Sequence, residues 1–485
     1  MSIKRNFLYS SFLTVANYIF PLLTFPYVSR VLGVEAIGKY NFTDNIIQIF
    51  IIVSMLGIET IGVREIAQNK TNQDKLNKSF TALLLFNAIT TSIAILVLFA
   101  AMFIVPKFAD YKDFLLVGSL KLFSMFLLID WFYKGIEDFK FITQRTIIIR
   151  TLFVISVFVF VRSPNDSLLY YFLIVFSITI NAIVNLLYAR RIISFSFDFA
   201  TISRIIKPIL ILGGYSILAW LYNSFSTSYL GFVSTDEYVG YYATASKFYN
   251  IFLSLLSAFA AVMLPRLSQL ASEHETANFQ RLITKSFNVV LTVTIPFAVY
   301  AIFYAPDIIR LVAGNGYEGA IQPMRLIMPL IIIVGIEQIL IIQILMPLKR
   351  DKEVLINTIW GAVTGLVLNV LLVPRYLCAG AAISWVASEM VVMFSAIYFI
   401  HKKTEIRLTV NLGKRIISVM MIILVTYLSI FVLSGSNYVV NIILGGFIVV
   451  VGTYLIEKYI VKNPILTDIE NAIITKVLHF KNNKL

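Results

Sequence analysis

About fourteen apolar stretches, each near the twenty residues a helix needs to cross a hydrocarbon core, divide this 485-residue chain from end to end. Their centres fall at 10–32, 42–62, 80–105, 114–134, 146–161, 168–188, 208–232, 240–263, 286–304, 326–347, 354–373, 378–400, 415–434 and 438–460. The runs are continuously apolar rather than alternating, so the reading is an all-α polytopic membrane protein and not a β-barrel. Composition agrees: 59% of residues are hydrophobic and 14% charged, where a soluble domain carries roughly a quarter charged. That excludes a cytosolic enzyme, a disordered tail and a disulfide-rich secreted domain. The single cysteine, Cys378, allows no intrachain disulfide, and His274, His401 and His479 stand too far apart to suggest a metal centre. The first span is too long for a signal h-region and lacks a small-residue cleavage pattern.

Charge orients the bundle. With the N-terminus inside, 30 of the 40 Lys and Arg fall on inner ends and loops, and 10 lie outside or within spans. This positive-inside bias puts both termini in the cytoplasm. The net charge of +14 is spread over many short segments, which argues against nucleic acid as a partner.

The chain also carries an internal repeat. A gapless shift of 202 residues aligns Arg5–Gln68 with Lys207–Leu270. Tyr27 then meets Tyr229, Glu35 and Gly38 meet Glu237 and Gly240, Tyr40 meets Tyr242, and Arg64 meets Arg266. The charged and glycine matches sit at helix ends, where apolar bias does not create them. Six spans separate the copies, so they run in the same direction through the membrane. The expected architecture is two six-helix bundles, 1–200 and 201–403, related by a pseudo-two-fold axis along the membrane normal, with two further helices and a tail at 404–485.

Four stretches carry a family resemblance: Ser29-Arg-Val-Leu-Gly33 with Gly38-Lys-Tyr40; Gly57-Ile58 through Arg64-Glu-Ile-Ala67; Asp130-Trp-Phe-Tyr-Lys-Gly-Ile-Glu137 running to Arg145; and Asn369, Pro374-Arg-Tyr376 and Gly380-Ala-Ala-Ile383 reaching Ser388-Glu389. In their joint order they resemble the Wzx-type polysaccharide flippases of the multidrug/oligosaccharidyl-lipid/polysaccharide exporter superfamily. The resemblance implies fourteen helices in two bundles and alternating access. It also implies transport of undecaprenyl-diphosphate-linked sugars across the bacterial inner membrane. Partners would be that lipid-linked oligosaccharide, membrane lipids, a polysaccharide polymerase and a chain-length regulator; the protein is expected to be a monomer without a cofactor.

Ionisable groups at membrane depth cost roughly 3 kcal/mol, so they face a cavity or one another. On a helical wheel Asp44, Gln48 and Glu59 share one face of span two. Lys247, Asn250 and Ser254 share a face of span eight. Span one shows Asn17, Pro21 and Thr24 together, and span seven Tyr215, Tyr222, Ser226 and Tyr229. These are the four helices the repeat pairs, and they are expected to line a central cavity, unless the polar groups only bond helix to helix. Arg30 stands at the outer interface; Arg64 and Arg266 stand at the inner mouth, where snorkelling explains them as well as ligand contact does. Asp130, Glu337 and Glu389 are candidates for ion coupling. Arg145 and Arg150 open span five, where ordinary inner-side charges explain them nearly as well as diphosphate contact. Alternatives are a cation-coupled drug antiporter of the same superfamily, or a membrane glycan polymerase or ligase. The last would need a large outer loop, and the longest outer segment here is about 305–325. No Gly-x-x-x-x-Gly-Lys loop is present to hold ATP.

Overall fold

The computed structural model describes residues 3–407, 412–433, 435 and 437–463; these are helical nearly throughout, with no strand among them. The helices are α1 (Ile3–Met55), α2 (Ile58–Asn69), α3 (Gln73–Ile104), α4 (Lys112–Leu127), α5 (Asp130–Gly135), α6 (Phe139–Phe160), α7 (Ser167–Ala189) and α8 (Phe199–Val233). They continue as α9 (Asp236–Ser272), α10 (Thr276–Phe303), α11 (Ala305–Val312), α12 (Ile321–Ile327), α13 (Leu330–Gln338), α14 (Asp351–Lys403), α15 (Leu412–Val432) and α16 (Tyr438–Leu455).

Twelve helical stretches among the described residues are long and apolar enough to cross a membrane. Two of them, Ile19–Asn69 and Asp351–Lys403, have double length, and each contains two of the expected spans. The first breaks at Gly33 (φ 79°, ψ 170°), a conformation open essentially to glycine alone. The chain reverses there. Before Gly33, α1 runs parallel to α6: Thr143 bonds the Tyr9 carbonyl, and the Tyr27 hydroxyl bonds the Val161 carbonyl at 2.7 Å. After it, α1 runs antiparallel to α8, with Phe42 against Gly231 and Gly57 against Leu212. The second double stretch breaks at Leu377 (φ 50°, ψ −128°), just beyond Pro374. The expected spans are therefore present, and two pairs of them are joined by a single backbone reversal rather than a loop.

One expected boundary moves. Span five does not begin at 146; α6 starts at Phe139, where the Asp138 carboxylate caps the Phe141 amide. Arg145 and Arg150 are therefore inside the helix and not at its mouth.

The chain divides into two compact units. The first is Met1–Ala243 with Val312–Gly316 and Val373–Cys378; the second is Thr244–Leu311, Tyr317–Leu372 and Ala379–Leu485. Residues 201–243, assigned by the repeat to the second bundle, thus group with the first unit by contact. Within that unit the two copies of the repeat touch. A Cβ on Gly38 would lie 1.6 Å from the Asp236 carbonyl oxygen, and one on Gly240 would lie 2.2 Å from the Val34 carbonyl oxygen. Gly38 and Gly240 differ by the repeat offset, and so do Val34 and Asp236. A reciprocal contact of this form is what a local two-fold relation generates. It also explains the paired glycines: the two backbones cross too closely for any side chain. Beside this crossing the Lys107 ammonium caps the end of α8, donating to the carbonyls of Gly231, Phe232 and Ser234. The Tyr111 hydroxyl donates to Asp236.

In the second unit α10 packs on α13, and the α15–α16 pair packs on α10. A small apolar core of Leu291, Ile295, Val299, Ile422, Ile456 and Val461 ties that pair down.

Candidate functional site

The polar groups of the spans form discrete clusters. In the first unit, Lys121 donates to Asp44 at 2.6 Å, and the Tyr171 hydroxyl donates to the same Asp44 oxygen at 3.2 Å. Lys121 is nearly buried. Asp44 is thus held by α4 and α7, and the ion pair joins three helices where sequence alone suggested a bare cavity face. Gln48 lies one turn further along, half-buried. Glu59 does not continue that stripe. The helix is interrupted at Leu56 (φ 43°) and Gly57, so no single wheel carries from Asp44 to Glu59. Glu59 sits on α2 and pairs with Lys134 at 2.6 Å, its side chain largely exposed.

The Asp130–Arg145 stretch folds into the densest cluster of this unit. Trp131, Phe132 and Tyr133 of α5 are each at most 1% exposed and pack with Ile58, Ile61, Ile66 and Phe80. Trp131 lies flat on Gly62, which has no side chain to keep it away. Asp130 accepts from both terminal nitrogens of Arg145 at 3.2 Å and from the Asn185 amide at 2.9 Å. Arg145 also donates to the Asn185 carbonyl oxygen and to Thr146. The Tyr133 hydroxyl donates to the Asn185 backbone. Asp130 and Arg145 satisfy each other, so the geometry casts this motif as a knot joining α5, α6 and α7. Asn185 completes it and was not singled out from sequence; its signal was a lone amide in an apolar run.

On α2, Arg64 is exposed, while its neighbour Glu65 is buried and accepts from Arg204 at 2.6 Å. Lys70 and Glu137 pair at 2.7 Å, and this hydrogen-bonded ion pair holds the Glu137 carboxyl below its usual range. Arg30 is exposed and donates to the Pro26 carbonyl. The side chains of Asn17, Tyr215 and Tyr222 lie outside the described residues.

In the second unit Lys247 is half-buried on α9, Asn250 is exposed one turn on, and the Ser254 hydroxyl turns back to the Ile251 carbonyl. Arg266 is exposed and bonds Gln269. Glu389 is buried and accepts from the Trp385 indole at 3.1 Å. Glu337 has one buried oxygen without a hydrogen-bond partner. A cluster absent from the sequence reading is the best satisfied of all. Arg415 of α15 and Glu457 in the π-helical turn Ile456–Val461 meet at 2.7 Å, 6% and 1% exposed. Glu457 also accepts from Ser418, Thr292 and Asn463, and Arg415 donates to Asn288. The signal was a base and an acid inside two predicted spans, 415–434 and 438–460. Nearby, α9, α10 and α16 line an apolar groove of about 420 Å³ whose floor includes the stacked Phe252 and Phe297. Its lining suits hydrocarbon rather than sugar.

A family model described as Polysaccharide biosynthesis protein matches residues 3–271, more than half of the chain. The chain belongs to that family. As a member of the polysaccharide biosynthesis proteins it is 24% identical over 416 residues to a candidate O-antigen transporter of Escherichia coli strain K12, covering 82% of this chain and 97% of that one. A second candidate O-antigen transporter, from Shigella dysenteriae, is 23% identical over 80% of this chain and 98% of its own. Among solved structures, the lipid II flippase MurJ in an inward closed conformation superposes with a TM-score of 0.72 at 15% identity, over 93% of this chain and 98% of that one. An inward-facing multidrug resistance MATE transporter of the MOP superfamily gives 0.62 at 14% identity, over 79% and 93%. The fold of this family member is therefore the one seen in MurJ and that MATE transporter, as its motifs implied.

Proposed function

We propose that this protein is a flippase that carries undecaprenyl-diphosphate-linked oligosaccharide units from the cytoplasmic to the outer leaflet of the bacterial inner membrane by alternating access. The reading is carried by one observation: two relatives named for O-antigen transport match this chain over nearly their whole lengths. The chemistry required is recognition. A diphosphate headgroup needs fixed cations to replace its lost hydration. Lys247, with Asn250 and Ser254 on the same face of α9, supplies a cation and polar groups at membrane depth. Asp44, Gln48, Arg30, Asn17 and Tyr222 add polar contacts for sugar, while Arg64 and Arg266 mark the inner mouth. Glu337 and Glu389 are the acids left for ion coupling; Asp130, tied to Arg145 and Asn185, serves the fold. The polyprenyl tail stays in lipid. Both termini lie in the cytoplasm, and the unit is handed to a polymerase working with a chain-length regulator.

The test is complementation of a flippase-null strain with Lys247→Met and Lys247→Arg, membrane levels being measured in parallel. Met keeps the stem and removes the charge, so surface glycan falls while protein level holds; Arg retains more. Normal display by Lys247→Met at normal level rejects the assignment of Lys247.

A further inference from the structure

Helix α8 falls into two parts that are fastened differently. Residues 199–212 are anchored. Ile205 and Ile209, at most 1% exposed, sit in the apolar core with Ile58, Ile61 and Trp131, and Arg204 pairs with Glu65. Pro208 lies between these two sealed isoleucines, where packing holds the backbone. Gly57 closes on Leu212, and Gly213 on Leu56, so the anchored part ends in a tight contact. Gly214 follows, and a Cβ there would meet no heavy atom within 4 Å. A glycine pair is the weak point of a helix, because each glycine forfeits helix propensity and kinks gather at such sites. The Ser216 hydroxyl donates to the Leu212 carbonyl at 3.0 Å, across the pair. Within a membrane, a hydroxyl placed in this way keeps backbone groups satisfied when a helix bends. The first copy of the repeat carries Ser11 and Phe12 at these two positions, so the pair belongs to α8 alone. Residues 215–233 are held otherwise. Ser224, Ser226, Thr227 and Ser228 make them rich in hydroxyls. Ser228 and Trp220 are buried, yet neither the Ser228 hydroxyl nor the Trp220 indole nitrogen has a hydrogen-bond partner among the described residues. An unsatisfied buried polar group costs free energy, so this half docks at a penalty. Its tip is clasped from the α3–α4 turn: Phe232 meets Phe42 and Phe108 at 5.3 and 5.9 Å, and Lys107 takes the last carbonyls of the helix.

We propose that residues 215–233 form a hinged arm, which bends at Gly213–Gly214 and is latched at its tip by Lys107. Unlatching swings the arm away from α1 and α3 during translocation. The role in translocation rests on the flippase reading; the motion itself does not. The arm takes the α8–α9 turn with it, so the Tyr111–Asp236 hydrogen bond and the Gly38–Gly240 crossing part together with the latch. The latch has the chemistry of a reversible tie. Lys107 holds carbonyls that the end of a helix leaves unpaired, so letting go breaks no bond inside α8. A sealed apolar anchor, a glycine hinge with its own hydrogen-bond cover and a polar latch at the far end are the parts that a swinging element requires.

The test reads the arm through Ser228, whose hydroxyl makes no hydrogen bond, so that Ser228→Cys removes none. The full chain carrying Ser228→Cys and Cys378→Ser is placed in lipid nanodiscs, and its labelling by N-ethylmaleimide is timed. Ser124→Cys, buried between α4 and α7, is the control for general loosening. Labelling of Ser228→Cys is expected to be slow, about threefold faster with Lys107→Met or Tyr111→Phe, and roughly fivefold slower with Gly214→Ala, the factor by which alanine exceeds glycine in a helix. Ser124→Cys does not change. Gly214→Ala keeps the fold, since its added methyl meets nothing. One labelling rate for Ser228→Cys in all these backgrounds overturns the proposal, and so does a Lys107→Met effect that Ser124→Cys shares. Where Lys107→Met does not accumulate, Tyr111→Phe and Gly214→Ala decide on the same terms. In complementation, Gly214→Ala lowers surface glycan at unchanged protein level. Normal display by that variant overturns the arm's part in translocation, whereas normal display by the flippase-null strain overturns the flippase reading itself.

Discussion

Replacing Glu457 by leucine should destabilise the second unit more than any exposed charge change, and replacing Arg415 as well should restore most of the loss. Both side chains are almost wholly buried and meet at 2.7 Å. Glu457→Leu strands the Arg415 guanidinium with only Asn288 and Thr292 as acceptors. Removing one partner of a buried pair costs roughly 3–5 kcal/mol, because the other charge stays desolvated. With about 2–4 °C per kcal/mol for a unit of this size, the apparent unfolding midpoint falls by on the order of 10 °C. In Arg415→Met/Glu457→Leu no charge remains buried. Ser418 loses its Glu457 acceptor and Asn288 its Arg415 donor, while Asn463 and Thr292 keep their mutual bond at 2.8 Å. That leaves a deficit of roughly 1–2 kcal/mol. The pair therefore shows a coupling of at least about 2 kcal/mol in a double-mutant cycle. The assay is thermal unfolding of the four proteins in one detergent. Additivity of the two single changes within about 0.5 kcal/mol would refute the reasoning, since it would mean that the charges do not feel each other.

Three further outcomes are expected. Asp130→Ala lowers the amount of protein in the membrane sharply, because it leaves Arg145 buried without a carboxylate; normal levels with lost transport would show instead that Asp130 acts on the substrate or an ion. Gly38→Ala lowers the unfolding midpoint by several degrees, an overpacking cost of roughly 1–3 kcal/mol, since its Cβ would stand 1.6 Å from a backbone oxygen; an unchanged midpoint would mean that the crossing at Asp236 relaxes freely. Reporter fusions after residues 75, 140, 197, 275 and 410 read cytoplasm and those after 110, 165, 236 and 315 read outside, and reversal at two or more sites would sink the topology.

The spans were legible in the sequence because lipid imposes a length and an apolarity on each one, independent of its neighbours. Charge bias predicts an orientation on the same footing, since it acts on each loop separately. The offset of 202 residues was also visible, since Glu35–Gly38 and Glu237–Gly240 keep a glycine where the two backbones cross. What the pattern could not supply was partner identity. Lys121 meets Asp44 across 77 residues and Arg415 meets Glu457 across 42, distances over which no periodicity speaks. A helical wheel also assumes an unbroken helix, so it joined Glu59 to Asp44 through a turn at Leu56 and Gly57 that only the backbone reveals. Arg150 shows the same limit in reverse. Its charge was plain, but a helix start misplaced by seven residues put it at an interface. Composition and length decide that a segment crosses the membrane; packing decides which of its polar groups face a neighbouring helix and which remain for a ligand.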